Sequence, residues 1–358
     1  MLTAVEIRKF RTCQPTKFKL NSSVSALIGQ NGAGKTNILQ AIKTVAKLDP
    51  YEKVDDIDIS LELEINHTTY VYSLRNSNIA LGPSRVLIDS LKIKDSDEVI
   101  FKKHEDGLIE GSAPNQMLPP MMRVLYFLQN SENSAIQYVY KFISSINYYH
   151  IHDYTKTNGE IIDDKEFENW RFLSADVKSA RGNPLFKLYD LNRYYPNTFN
   201  EIVSILNDIY VIDSIDFISL KDNSYILPIF KLNKQGRQFH ELSEGTKRVI
   251  SILLNMFYDK SSLMLIEEPE SSIHHGLLVK LVDILRAYSD EHQVIFSTHS
   301  DQVLNELKPK EIIFVKMEKN KTVAKNPPPK QIKEIKYYLD NIGPLGEYIT
   351  TTGGGELF

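Results

Sequence analysis

Gly29-Gln30-Asn31-Gly32-Ala33-Gly34-Lys35-Thr36 decides how this chain is read. It fits G-x-x-x-x-G-K-[ST] at every fixed position. Its flanks also fit. The short apolar run Val24-Ser25-Ala26-Leu27-Ile28 precedes it, and Ile38, Leu39, Ile42, Val45 and Ala46 follow as one apolar helical stripe. Glycines let successive backbone N–H groups face inward around phosphate oxygens, where a side chain would collide. The N-terminus of the following helix adds its partial positive charge. The candidate nucleotide-binding residues are Gln30, Asn31, Gly32, Ala33, Gly34, Lys35, Thr36 and Asn37. Lys35 supplies a point charge for β- and γ-phosphates, and the Thr36 hydroxyl suits Mg²⁺. The competing reading, a glycine-rich turn with an incidental lysine, does not account for the strand before it and the helix after it.

Composition bounds the rest. The chain has 358 residues, with 42 Lys and Arg against 46 Asp and Glu, a net charge of −4. A uniformly basic nucleic-acid coat is excluded, though a local basic patch is not. A hydrophobic content of 42% with 25% charged residues is that of a folded globular chain. Cys13 is the single cysteine, so an internal disulfide is impossible and a cysteine-based zinc site is not expected. No apolar run approaches the ~18 residues of a membrane span, and the N-terminus does not read as a signal peptide. A cytoplasmic location is the expectation.

Periodicity divides the chain. Residues 1–50 and 236–320 read as a strand–helix nucleotide-binding core. Over 51–130 the period falls to two, as in Ile57, Ile59, Leu61, Leu63 and Ile65, which predicts an antiparallel β lobe with one solvated face. Residues 131–235 read as a helical insertion, and 321–358 as a C-terminal segment. Within residues 308–336 nine lysines face three glutamates. That run is either a solvated face or a phosphate-contacting surface.

Leu263-Met264-Leu265-Ile266 runs directly into Glu267-Glu268-Pro269-Glu270. Carboxylates at a buried strand end are costly unless they hold a cation or a proton. Neighbouring strand residues point to opposite faces, which assigns Glu267 to the metal and Glu268 to the γ-phosphate as a water-activating base. The interval from Gly29 to Glu267 spans 238 positions, so a large insertion interrupts the core. Upstream, Leu242-Ser243-Glu244-Gly245-Thr246 opens an apolar helix, as either an anion site or a plain serine N-cap. Downstream, Ser297-Thr298-His299-Ser300 closes a strand with a histidine able to donate to a phosphate. His150, His152 and Asp153 could place two imidazoles and an acid together, but a third and fourth ligand are missing. A structural or lid role is the main expectation there.

These motifs, in this order, resemble those of ABC-type ATPases. More narrowly they resemble the RecF, SMC and OLD-like branch of predicted AAA-type ATPases. The opening Val5-Glu6-Ile7-Arg8-Lys9-Phe10-Arg11 is similar to that branch, as is Asn147-Tyr148-Tyr149-His150-Ile151-His152-Asp153 with Gly182-Asn183. The resemblance implies an α/β fold: an ABC-type P-loop ATPase core with an antiparallel β lobe and an inserted helical lid. It implies ATP and Mg²⁺ as ligands, with Thr36 and Glu267 at the metal. It implies two copies meeting head to tail around ATP, with Ser243, Glu244 and Gly245 contacting nucleotide in trans. Glu268 would be the general base, His299 the switch histidine, and residues 269–274 the loop at the dimer interface. The family's metal-associated acid is usually Asp, where this chain has Glu267. The glutamine of the lid has only weak candidates here, Gln129 or His152.

By the same analogy the chain is a homodimer or higher homo-oligomer, without a membrane role. It would regulate a separate effector, a nuclease or toxin, or act on DNA, in bacterial anti-phage defence. The 40 residues after Glu318 are expected to be too few for a nuclease domain. A DNA repair or recombination ATPase is the alternative, and the ATPase subunit of a transporter a more distant one.

Overall fold

The computed structural model describes residues 1–46, 56–77, 85–96, 98–112, 116–119, 122–149, 160–173, 183–222, 224–271, 273, 275–289 and 292–351. They form two compact units. The first comprises Met1–Tyr149, Ser262–Pro269 and Ile284–Phe358, the second His150–Ser261 and Glu270–Asp283.

The first unit holds two sheets. One has six strands in the order Lys321–Lys325, Ile312–Glu318, Val24–Ile28, Gln293–Thr298, Leu263–Glu267 and Ile146–Tyr149. Every pairing is parallel except the edge hairpin formed by the first two strands. The three central strands are buried at every position. That burial on both faces is why they read as continuous apolar runs rather than alternating ones. The helix Lys35–Ala46 starts at the end of the glycine loop and buries the predicted stripe.

The second sheet is an antiparallel meander ordered Thr16–Lys19, Leu2–Lys9, Ile57–Ile65, Thr68–Ser77, Arg85–Ile93, Val99–Lys103 and Ile109–Gly111. Asn66 and His67 form its tightest turn with φ of +49° and +64°, the backbone that matches strand twist in a two-residue hairpin. Ile59, Leu61, Leu74 and Phe101 on its inner face share one core with Leu27, Leu263, Leu265 and Ile295 of the parallel sheet.

Three expected boundaries fall inside this unit. The strand Leu2–Lys9, grouped by the sequence with the nucleotide-binding core, pairs with Ile57–Ile65 in the β lobe. The helix Ser134–Ser144, assigned to the insertion, places Ile136, Val139 and Ile143 in the shared core. The 320/321 boundary cuts the turn of one hairpin, because Glu318 pairs with Lys321. In the first two cases a contact between distant segments decides membership, and local periodicity carries no record of it.

The second unit packs the helices Asp164–Arg171, Pro184–Tyr194, Pro196–Asp208 and Glu244–Phe257 with a small antiparallel sheet. That sheet contains Ile162–Asp163, Ser214–Leu220, Tyr225–Leu232 and Gln235–Arg237. Asn183 and Asp163 cap two of the helices with their side chains. A buried Lys187–Asp259 pair at 2.6 Å joins the helix Pro184–Tyr194 to the end of Glu244–Phe257. Beside it, Asp190 accepts from Arg171 Nε at 2.6 Å and from the Tyr258 hydroxyl at 2.9 Å.

Candidate nucleotide site

The glycine loop is shaped by its neighbours. Gly32 and Gly34 have φ of +82° and +98°, backbone that other residues rarely adopt. A Cβ at Gly34 would collide with the Thr322 side chain, and one at Gly29 with the Val315 carbonyl. The hairpin Ile312–Lys325 therefore walls the loop closely enough to require glycine at both ends. Gln30, Asn31 and Gly32 form its exposed crown. Lys35 is 5% exposed. Its Nζ donates to the carbonyls of Gly29 at 2.7 Å and Gln30 at 3.1 Å. The ammonium is thus held over the loop that it would serve.

The acidic strand meets the same point. The Thr36 hydroxyl donates to one Glu267 carboxylate oxygen, and the Tyr148 hydroxyl donates to the other at 3.0 Å. Residues 231 positions apart in sequence thereby supply one compact set of oxygens. Such hard donors suit Mg²⁺, the ion this fold implies, so the residues present fit it. The longer Glu267 side chain, where the family usually has Asp, still reaches Thr36.

Glu268 lies beyond the strand end. Strand alternation would separate it from Glu267, but the structure reaches that result differently. Glu268 leaves the strand with φ of +42°, a strained conformation for a residue with a side chain. Its N–H donates to the Ser297 carbonyl at 3.1 Å and to Ser297 Oγ at 3.3 Å. Its carboxylate lies 3.2 Å from His299 Nδ1. The two partly exposed groups form an acid–imidazole couple at adjacent strand ends.

The Asn37 side chain is turned toward the segment after the first strand. Its Nδ2 donates to Thr12 Oγ1 at 2.7 Å, and Thr12 Oγ1 lies 2.7 Å from Thr322 Oγ1. This hydroxyl–amide chain ties the P-loop helix to the turn after the first strand. In the second unit Ser243 is the N-cap of Glu244–Phe257 and accepts from Thr246 N–H at 3.1 Å. Ser243 and Glu244 are exposed, whereas Gly245 is buried. Gln129 is exposed in the turn after the short helix Val124–Phe127. His150, His152, Asp153, Gly182, Ser272 and His274 lie outside the described residues. Part of the lysine run lines an open groove of about 490 Å³ formed by Gln14, Lys316, Glu318, Lys319, Lys321 and Val323. The sequence did not single out Thr12, Thr322 or a contact from Tyr148 to Glu267, because Thr12 meets Thr322 across 310 positions and Tyr148 meets Glu267 across 119.

The family model described as "AAA domain, putative AbiEii toxin, Type IV TA system" matches residues 24–114 and 138–305. The chain belongs to this family. It is a P-loop ATPase with an AAA-type domain. The crystal structure of an Smc head bound to the C-winged helix domain of ScpA is similar in fold. Its TM-score is 0.57 at 14% identity, covering 90% of this chain and 97% of that one. The Smc head domain with an extended coiled coil from Pyrococcus furiosus, bound to the C-terminal domain of ScpA, gives a TM-score of 0.53 at 12% identity. That match covers 95% of this chain and 99% of the other. Among proteins of curated function, none matches. No helix among the described residues of this AAA-domain ATPase is long and apolar enough to cross a membrane.

Proposed function

We propose that this ATPase works as an ATP-gated dimer, two copies closing head to tail around nucleotide and opening after hydrolysis. The carrying observation is the Glu268–His299 couple at 3.2 Å, set just past the Thr36–Glu267 contact. Glu268 takes a proton from the attacking water, and His299 holds that carboxylate and senses the γ-phosphate. Lys35 and the loop N–H groups bind the phosphates. Thr36 and Glu267 would hold Mg²⁺, which when bound would neutralise charge developing on the phosphates. Ser243, Glu244 and Gly245 act on the nucleotide of the facing copy. The exposed Ser243 hydroxyl at a helix N-terminus supports that role.

The output is control of a separate effector, a nuclease or toxin, in anti-phage defence. The family's toxin–antitoxin description supports this context, and the Smc heads with bound ScpA support a partner protein on such a fold. The lysine-lined groove supports a contact with nucleic-acid phosphates. The test is steady-state ATP hydrolysis by Glu268→Gln with and without DNA. Turnover falls by roughly 10²–10⁴-fold on loss of a general base, whereas turnover within a few-fold of the unmodified chain overturns the assignment. Cleavage of DNA by the purified chain alone, with Mg²⁺ and ATP, would contradict the separate effector.

A further inference from the structure

We infer that Tyr148 is a positioning residue for Glu267, and that it makes the longer acid workable where the family usually has Asp. The inference rests on the ATPase reading above.

The two oxygens of Glu267 have different partners. One accepts from Thr36 and the other from the Tyr148 hydroxyl at 3.0 Å. Glu has one more rotatable bond than Asp, so its carboxylate samples more orientations and loses more entropy when fixed. A second hydrogen bond from a fixed donor removes that freedom. Tyr148 is itself well placed to be fixed. It sits on the strand Ile146–Tyr149, directly opposite Leu265 in the parallel register with Leu263–Glu267. The ammonium of Lys43, on the P-loop helix, lies 4.9 Å from its ring centroid. Such a cation over a tyrosine face adds attraction and restrains the ring. The phenol thus bridges the helix that carries Thr36 and the strand that carries Glu267. It holds the distal carboxylate oxygen so that the proximal one faces the Thr36 hydroxyl.

Tyr148 touches neither the phosphates nor the reacting water in this scheme. Its effect passes through Glu267 alone, and this gives the inference a specific test. In a Glu267→Asp background the shorter carboxylate no longer reaches Tyr148, so removing the phenol hydroxyl has nothing left to change.

The experiment measures the Mg²⁺ concentration giving half-maximal binding of a fluorescent ATP analogue. It uses the full chain and its Tyr148→Phe, Glu267→Asp and double variants, with melting temperature and binding in EDTA recorded alongside. Tyr148→Phe is expected to raise the half-saturating Mg²⁺ by roughly tenfold, the scale of one lost hydrogen bond to a charged group. Binding in EDTA and the nucleotide-free melting temperature stay unchanged. In the Glu267→Asp background the same substitution moves the Mg²⁺ requirement less than twofold. A requirement unchanged within twofold in Tyr148→Phe overturns the inference, as does an equal shift in both backgrounds. Intact Glu268-dependent hydrolysis in those variants would confine the failure to Tyr148. Nucleotide binding by the unmodified chain that ignores Mg²⁺ would sink the metal assignment and this inference together.

Discussion

Arg123→Ala should be among the most destabilising single changes in the first unit. Arg123 is 5% exposed. Its Nη1 donates to the Val45 carbonyl at 2.7 Å and its Nη2 to the Tyr72 hydroxyl at 2.6 Å. The guanidinium lies 4.6 Å from the centroid of Tyr126, whose hydroxyl donates to the Ala46 carbonyl at 2.6 Å. Burial works against its charge, but Tyr72 and the fully buried Asp89 more than offset that and hold its pKa above the ordinary arginine value. The side chain therefore caps the last carbonyls of the P-loop helix, a favourable place for a cation, and ties that helix to the β lobe. Truncation removes one of the buried cations that act on the Asp89 carboxylate and leaves the Val45 carbonyl without this donor. Removing one of two buried charges that compensate each other costs about 3–5 kcal/mol. In a unit of this size each kcal/mol shifts the melting temperature by about 2–4 °C, so a fall of roughly 6–20 °C is expected. Combining Arg123→Met with Asp89→Asn removes both charges and should recover more than half of that loss. Scanning calorimetry at neutral pH reads both. A fall under about 3 °C for Arg123→Ala, or a double variant no better than the single, refutes the charge argument.

Two further changes separate roles that one residue or one region combines. Ser243→Ala should cost about 1 kcal/mol as a lost N-cap and also lower ATP turnover. Ser243→Asp should restore the melting temperature but not turnover, and recovery of both would reduce Ser243 to a cap. Glu62 bridges Lys17 at 2.9 Å and Lys94 at 2.8 Å. Partial burial raises its pKa, but the hydrogen bonds and charges of the two lysines outweigh this and leave it below the ordinary 4.5. A lowered folded-state pKa means the stabilisation is complete above the unfolded value and is lost as pH falls through the folded one. The melting-temperature gap between the unmodified chain and Glu62→Gln should therefore hold from pH 7 to about 5 and close under further acidification. A gap that widens in acid would show that the lysine pairs are not its source.

The sequence carried the parts of the site that local chemistry dictates. The glycines of the loop need positive φ or contact-free backbone, so Gly29, Gly32 and Gly34 mark it wherever it occurs. The apolar run ending at Glu267 follows from burial on both faces of a parallel sheet. What could not be read depends on pairing across the chain. Tyr148 is one tyrosine among 19 until Leu263–Glu267 is laid beside Ile146–Tyr149. Arg123 reads as a surface cation until Tyr72, Asp89 and Val45 surround it. Ser134–Ser144 has the period of any amphipathic helix, and only the core it enters separates it from the insertion. Glu268 was legible as a distinct acid, but the left-handed turn that sets it apart from the strand was not, since nothing in Glu-Glu-Pro-Glu demands one.

The most direct test of the central claim is the molar mass of Glu268→Gln in Mg²⁺-ATP and in Mg²⁺-ADP, measured by size-exclusion with light scattering. The account predicts about twice the monomer mass in ATP, reverting in ADP, and loss of that dimer when Lys35→Ala is added. A monomer in both nucleotides, with ATP bound, would contradict it.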